Sequence, residues 1–213
     1  VFTREEVGFP KLGFVFCCFN HHYKISPSVF KSWMRILLEV KGSVLWLSDG
    51  NQIGIKNLKK EAKKHGISPK RLIFAPRLEL REDHLNRIKL GQLFLDTLPY
   101  NAHATTSDAL HAGLPVLTCI GKSFASRVAA SLINSVDLPE LISTSIKQYE
   151  KIAIDLANDS SKLNNIKEKL ERNLTSSPLY NTSLYAKQIE SAYIEMYERN
   201  QKEKPPKHIY VEL

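Results

Sequence analysis

The stretch from Asp96 to Asp108 reads Asp-Thr-Leu-Pro-Tyr-Asn-Ala-His-Ala-Thr-Thr-Ser-Asp and gathers the polar groups best suited to holding a ligand. A loop of small and polar residues here precedes a predicted helix whose first turn carries Thr105 and Thr106. Backbone N–H groups at a helix start have no intrahelical acceptor, and the helix dipole adds partial positive charge. With two hydroxyls beside them, they form a natural diphosphate site. His103 stands at the edge of the same loop, although an isolated histidine is more often structural than functional. Asp108 has two readings. Thr105-x-x-Asp108 is either a variant capping box that satisfies a helix-end donor, or it leaves a carboxylate free to accept from a ribose hydroxyl.

A second candidate is Lys24, in the segment Asn20-His21-His22-Tyr23-Lys24 that follows an apolar run and precedes the helix start Ser26-Pro27. A lysine so placed reaches a phosphate as a point charge; the plain alternative is an exposed loop lysine. There is no Gly-x-Gly-x-x-Gly and no phosphate-loop lysine motif, which argues against dinucleotide enzymes and P-loop hydrolases. Cys17, Cys18 and Cys119 have neither CxxC nor Cys/His spacing, so inert buried thiols are expected rather than zinc ligands or disulfides.

These residues need elements to hold them. Residues 13–19 (Gly-Phe-Val-Phe-Cys-Cys-Phe) are apolar on both faces, as befits a central parallel strand covered by helices on each side. Further strands are predicted at 43–47, 71–75, 93–96 and 115–118. Helices are predicted from Pro27 to the Gly42 stop, then over 55–65, 82–90, 105–112 and 125–134. Beyond Leu141 strands almost vanish, and helices are predicted over 146–157, 163–173 and 182–199. Strand–helix alternation at this spacing implies an α/β fold, a Rossmann-like doubly wound parallel sheet with a helical C-terminal extension. In such sheets ligands bind beyond the carboxyl ends of the strands. Lys24 follows a predicted strand, and the loop to Asp108 runs on from another that ends at Asp96. The chain divides into a core over 1–142, helices over 143–200 packing on it, and a charged tail over 201–213.

Hydrophobic residues make up 43% and charged residues 24% of 213, the profile of a soluble globular chain long enough for a sizeable core. No apolar run approaches a membrane span, and Val1–Pro10 carries Arg4, Glu5 and Glu6 without the apolar stretch of a signal peptide. A cytoplasmic location is the expectation. The chain starts without Met, so it reads as a piece of something longer. The net charge of +8 invites a nucleic-acid reading. Its excess, however, lies largely in 56–64 and 202–207, a solvated helix face and a tail, with no basic stripe interleaved with aromatics.

Three ordered segments resemble the C-terminal lobe of the O-linked N-acetylglucosamine transferases, the family 41 glycosyltransferases, which include SPINDLY-type O-fucosyltransferases. They are Phe-Cys-Cys-Phe-Asn-His-His-Tyr-Lys at 16–24 running into Ile-Ser-Pro, Leu95–Asp108 with Leu-His-Ala-Gly-Leu-Pro at 110–115, and Ala-Ser-Arg-Val-Ala-Ala-Ser at 125–131. The strand at 43–47 and Ser-Pro-Leu-Tyr-Asn-Thr at 177–182 fit as well, so the resemblance is colinear over 13–199.

The resemblance implies a GT-B architecture, of which this chain supplies the donor lobe, and metal-independent, inverting transfer of N-acetylglucosamine from UDP-GlcNAc to protein Ser or Thr hydroxyls. A SPINDLY-like lobe using GDP-fucose and a non-catalytic association lobe are the alternatives. By position, Lys24 resembles the lysine at the donor diphosphate and His84 the histidine beside the uracil, with Arg87 a base-side neighbour. His103 with Thr105 resembles the histidine–threonine pair at the phosphates, beside which the helix start adds Thr106, and Asp108 resembles the ribose-binding aspartate. His21 stands where the family usually has Gln or Asn, Ala104 replaces a threonine, and His111 stands at a tryptophan position. One extra residue between Phe74 and His84 leaves Leu78, Glu79 and Leu80 as alternatives for the residue against the base. The implied partners are a UDP-sugar, an acceptor protein, and an N-terminal catalytic lobe with tetratricopeptide repeats of the same polypeptide. No metal cofactor is expected, no nucleic acid, and the general base would lie outside this chain.

Overall fold

A computed structural model describes residues 2–211. The strands are β1 (Val15–Cys18), β2 (Val44–Ser48), β3 (Leu72–Ala75), β4 (Leu93–Leu95), β5 (Val116–Cys119) and β6 (Ile142–Ser143). The helices are α1 (Pro27–Glu39), α2 (Gln52–Lys64), α3 (Arg81–Ile88), α4 (Ala104–His111), α5 (Val128–Ser135), α6 (Ile146–Asn158), α7 (Ser160–Ser176) and α8 (Thr182–Gln201). Every strand pairing is parallel, in the order β3-β2-β1-β4-β5-β6. The chain winds one way from β1 to β3 and the other way from β4 to β6. The crevice between the carboxyl ends of β1 and β4 is therefore the switch point of the sheet.

The strand runs predict this burial. Val15, Phe16, Cys17, Cys18, Leu93, Phe94, Val116 and Leu117 are all fully buried, because helices cover both faces. Phe16 sits in register with Leu45 on one side and Leu93 on the other. The three cysteines are free and buried, and burial pushes the Cys17 and Cys18 thiols far above their ordinary values. They behave as small apolar groups.

Helix α1 starts where the Ser26 hydroxyl accepts from the Val29 N–H at 3.4 Å and Pro27 occupies the first turn. It buries Phe30, Trp33, Met34 and Leu37 against the sheet, each worth about 1.5–3 kcal/mol relative to exposure. Trp33 Nε1 donates to the Tyr149 hydroxyl at 3.1 Å, and that hydroxyl donates to the Asp96 carbonyl at 3.0 Å. One buried chain thus ties α1 and α6 to the end of β4.

Several boundaries differ from expectation for local reasons. The Asn51 side chain accepts from Gly54 N–H at 2.7 Å and starts α2 at Gln52, three residues before the predicted Ile55. Asp159, accepting from Lys162 N–H at 3.0 Å, likewise starts α7 at Ser160. A reciprocal hydrogen-bonded box between Ser123 and Ser126 closes a 3-10 turn over Phe124–Ser126, which delays α5 to Val128. The sixth strand was not expected; it is two residues long and pairs Ile142 with Thr118 and Ser143 with Cys119. Tyr149, Ala153, Leu156, Leu163 and Leu170 of α6 and α7 belong to the same core as the sheet, whereas α8 buries no residue. Among the described residues no helix is long and apolar enough to cross a membrane.

Candidate functional site

The carboxyl edge of the sheet carries two zones that meet at the start of α4. In the first, residues from the ends of β1, β2 and β3, with α3 and α4, line a cavity of about 460 Å³. His21, His84, Arg87, Thr105 and Asp108 all contribute to its wall, so five of the expected residues converge there. Leu78, Glu79 and Leu80 all line it too, which leaves the choice among them for the base contact open.

His84 stands edge-on to Phe19 at 5.3 Å, and Phe19 in turn packs on Trp46 at 4.8 Å. Burial pulls the His84 pKa below the ordinary imidazole value, and the Arg87 guanidinium lowers it further. Arg87 is only 4% exposed and donates to the Pro76 carbonyl at 2.6 Å and to His84 Nδ1 at 3.3 Å. One of the two local readings of Asp108 falls away. Helix α4 has no side-chain cap bond, so no capping box forms, and the carboxylate accepts from Arg81 at 2.6 Å while facing the cavity.

The second zone centres on Lys24, at the end of a 3-10 turn over His22–Lys24. Its ammonium donates to the Asn101 carbonyl at 2.9 Å and lies 3.8 Å above the Tyr100 ring. Burial lowers the Lys24 pKa, and the Asp96 carboxyl opposes that shift. His22 anchors the turn through a ring N–H donated to the Ser48 carbonyl at 2.9 Å. The ring fits because residue 50 is glycine; a Cβ there would lie 2.5 Å from it. Half-buried His103 donates weakly to the Ala125 carbonyl at 3.4 Å and packs near Tyr100 and Phe124.

Thr106 is the correction. It is fully buried, and its hydroxyl donates to the Ala102 carbonyl at 3.1 Å, so it cannot reach a ligand in the cleft. The third position of the helix points back into the fold here. The three N–H groups of Ala104, Thr105 and Thr106, in the first turn of α4, lack intrahelical acceptors by helix geometry.

Sequence reasoning missed the post that holds this loop. Asp96 is completely buried, and its carboxylate accepts from the N–H groups of Thr97 at 2.7 Å and Ala102 at 2.6 Å. The Thr118 hydroxyl donates to it at 2.7 Å and the Asn20 amide at 3.4 Å. Burial pushes its pKa up to about 7 against the pull of those donors, Thr118 first. A carboxylate closing an apolar strand was a visible signal of such a post. Tyr100, Phe124 and Arg81 gave no such signal, since only tertiary structure brings them to the site.

The carboxyl edge thus brings together a cavity lined by His84, Arg87, Thr105 and Asp108, the start of α4, and the Lys24 ammonium. Among the described residues no group of three or more His, Cys, Asp or Glu side chains converges as metal ligands do.

Comparison with known proteins supplies the setting. Residues 1–189 match the family model described as Glycosyl transferase family 41. The chain is 34% identical over 207 residues to the UDP-N-acetylglucosamine--peptide N-acetylglucosaminyltransferase of Caenorhabditis elegans, covering 97% of this chain and 18% of that protein. It is 32% identical over 209 residues to the probable UDP-N-acetylglucosamine--peptide N-acetylglucosaminyltransferase SEC of Arabidopsis thaliana, covering 98% of this chain and 21% of that one. The chain therefore spans about a fifth of the length of these relatives. Among solved structures it is similar to the Thermobaculum terrenum O-GlcNAc transferase, in a lysine-to-methionine mutant form. The TM-score there is 0.80 at 31% identity, over 89% of this chain and 36% of that one.

Proposed function

We propose that this chain, which belongs to glycosyl transferase family 41, is the donor-binding lobe of a GT-B enzyme that moves N-acetylglucosamine from UDP-GlcNAc to protein Ser or Thr hydroxyls. The observation that carries the reading is the gathering, at the carboxyl edge of the sheet, of a cavity lined by His84, Arg87, Thr105 and Asp108 with the start of α4 and the Lys24 ammonium. The relatives' names point the same way. In this reading the uracil occupies the cavity beside His84, and the ribose hydroxyls donate to Asp108. The diphosphate lies across the α4 N-terminus with Lys24, His103 and Thr105 around it.

Transfer leaves negative charge on the departing UDP, so the chain's task is to meet that charge where it develops. Lys24 does so as a fixed cation. It is already partly desolvated and aimed across the loop, and its bond to the Asn101 carbonyl is the contact that the phosphate replaces. The unpaired N–H groups of α4 add donors that need no reorganisation. These groups supply the charge stabilisation without a metal. The base that takes the acceptor's proton, inversion at the sugar and the acceptor's own binding belong to the N-terminal lobe and repeats of the same polypeptide. This chain alone binds nucleotide without turnover.

Calorimetry with UDP and GDP on the wild type and on Lys24→Ala tests the reading. UDP should bind more tightly than GDP, and the substitution should weaken UDP at least about tenfold, or about 1.4 kcal/mol. Preference for GDP would transfer the reading to a SPINDLY-like fucosyl donor. Equal UDP affinity in the two proteins would remove Lys24 from the site.

A further inference from the structure

We infer that Arg87 is a positioning residue that locks His84 in the tautomer bearing its proton on Nε2, so that the cavity presents a neutral imidazole with one N–H donor to the bound nucleotide. The inference rests on the reading of this cavity as the base end of a nucleotide site.

A guanidinium carries five donors and no acceptor, and it stays charged at every accessible pH. Arg87 Nη2 lies 3.3 Å from His84 Nδ1, so the bond exists only if Nδ1 offers a lone pair. A neutral imidazole has a single ring proton, and it must then sit on Nε2. His84 makes no other side-chain hydrogen bond among the described residues, and its ring lines the cavity, which leaves the Nε2–H for a ligand oxygen.

Arg87 is held too firmly to adapt to the other tautomer. Its Nη1 donates to the Pro76 carbonyl at 2.6 Å, its Cζ lies 5.8 Å from the Trp46 ring centroid, and it is 4% exposed. Pro76 directly follows β3 and Trp46 belongs to β2, so the sheet itself aims the guanidinium. Double protonation of His84 would set a second donor against Arg87. The charges that face the ring oppose one another: Arg87 and Arg81 on α3 disfavour the imidazolium, and Asp108 on α4 favours it. Burial weighs on the side of the neutral form. Arg87 thus acts through His84 and the Pro76 carbonyl, and the edge of its guanidinium completes the cavity wall.

Two-bond proton–nitrogen correlation spectra of the whole chain read this directly, because protonated and unprotonated ring nitrogens resonate far apart. The wild type should show an unprotonated Nδ1 and a protonated Nε2 at neutral pH, with a titration midpoint below the ordinary imidazole value. Arg87→Met should populate both tautomers, raise that midpoint and weaken UDP by about three- to tenfold. A wild-type proton on Nδ1 would overturn the inference, as would an Arg87→Met protein whose tautomer and midpoint match the wild type. An altered tautomer with unchanged UDP affinity would overturn the role in binding. The wild-type spectrum decides the tautomer even if Arg87→Met does not fold. Failure of the wild type to bind UDP would sink the nucleotide reading instead, leaving the tautomer result in place.

Discussion

Replacing Asp96 with asparagine should make the fold's stability less sensitive to pH, and the amount follows from the site. Asn fits the same space. Its Oδ1 keeps the N–H donors of Thr97 and Ala102, and its Nδ2 replaces the oxygen facing Thr118, whose hydroxyl turns to accept. Only the charge is lost. Burial raises the Asp96 pKa from 3.8 to about 7, a rise of roughly three units, and at about 1.36 kcal/mol per unit this amounts to about 4 kcal/mol. The folded-state value lies above the unfolded one. The protonated carboxyl therefore favours folding fully below the unfolded pKa, and that contribution is lost as pH rises through the folded pKa. The window runs from about pH 4 to about pH 7, with a slope near 1.4 kcal/mol per pH unit.

Urea unfolding followed by emission of the buried Trp33 and Trp46 measures both proteins across that window. The stability of Asp96→Asn minus that of the wild type should climb by up to about 4 kcal/mol between its ends. Other titrating groups act equally in both and cancel in the difference. A difference that stays constant with pH, or that falls as pH rises, would refute the reasoning.

Tyr149→Phe should cost about 1–3 kcal/mol in the same assay, because the buried Trp33 N–H loses its acceptor and the Asp96 carbonyl its donor. Gly13→Ala should lower the melting temperature by about 5 °C or more, given about 2–4 °C per kcal/mol for a chain of this size. Its φ of +117° disfavours a side chain, and the new Cβ would meet the Gly42 carbonyl oxygen at 2.3 Å. A midpoint unchanged from wild type would contradict either argument.

The sheet was legible because β1, β2, β4 and β5 are apolar on both faces, a pattern that a strand buried between helix layers must show. β6 escaped because two residues carry no periodicity. Helix starts shifted wherever a capping side chain outweighed the apolar pattern, as Asn51 does before α2 and Asp159 before α7. At the site, residues that follow strands could be read from order alone, since topology places strand ends side by side. Lys24 and Asp108 came from that argument together with the family resemblance. The orientation of a helical side chain could not be read so. Thr105 lines the cavity and Thr106 faces the core, although they are adjacent and identical in type. Contacts set by helix packing, such as Arg81 with Asp108, leave no trace in the sequence spacing.

The switch between β1 and β4 also separates short-range from long-range closure of the sheet. The segments β1-β2-β3 and β4-β5-β6 each pair strands that are successive in the chain, so each half can assemble from nearby residues. Cys17 meets Leu93 across 76 residues, and Lys24 meets Asn101 across 77, so those contacts wait for the long loop between them to close. A chain with one half formed has a strand edge without the Lys24–Asn101 contact beside it. The pocket comes into being at the seam, when the halves dock, and any ligand that bridges Lys24 and the α4 loop then fastens that seam.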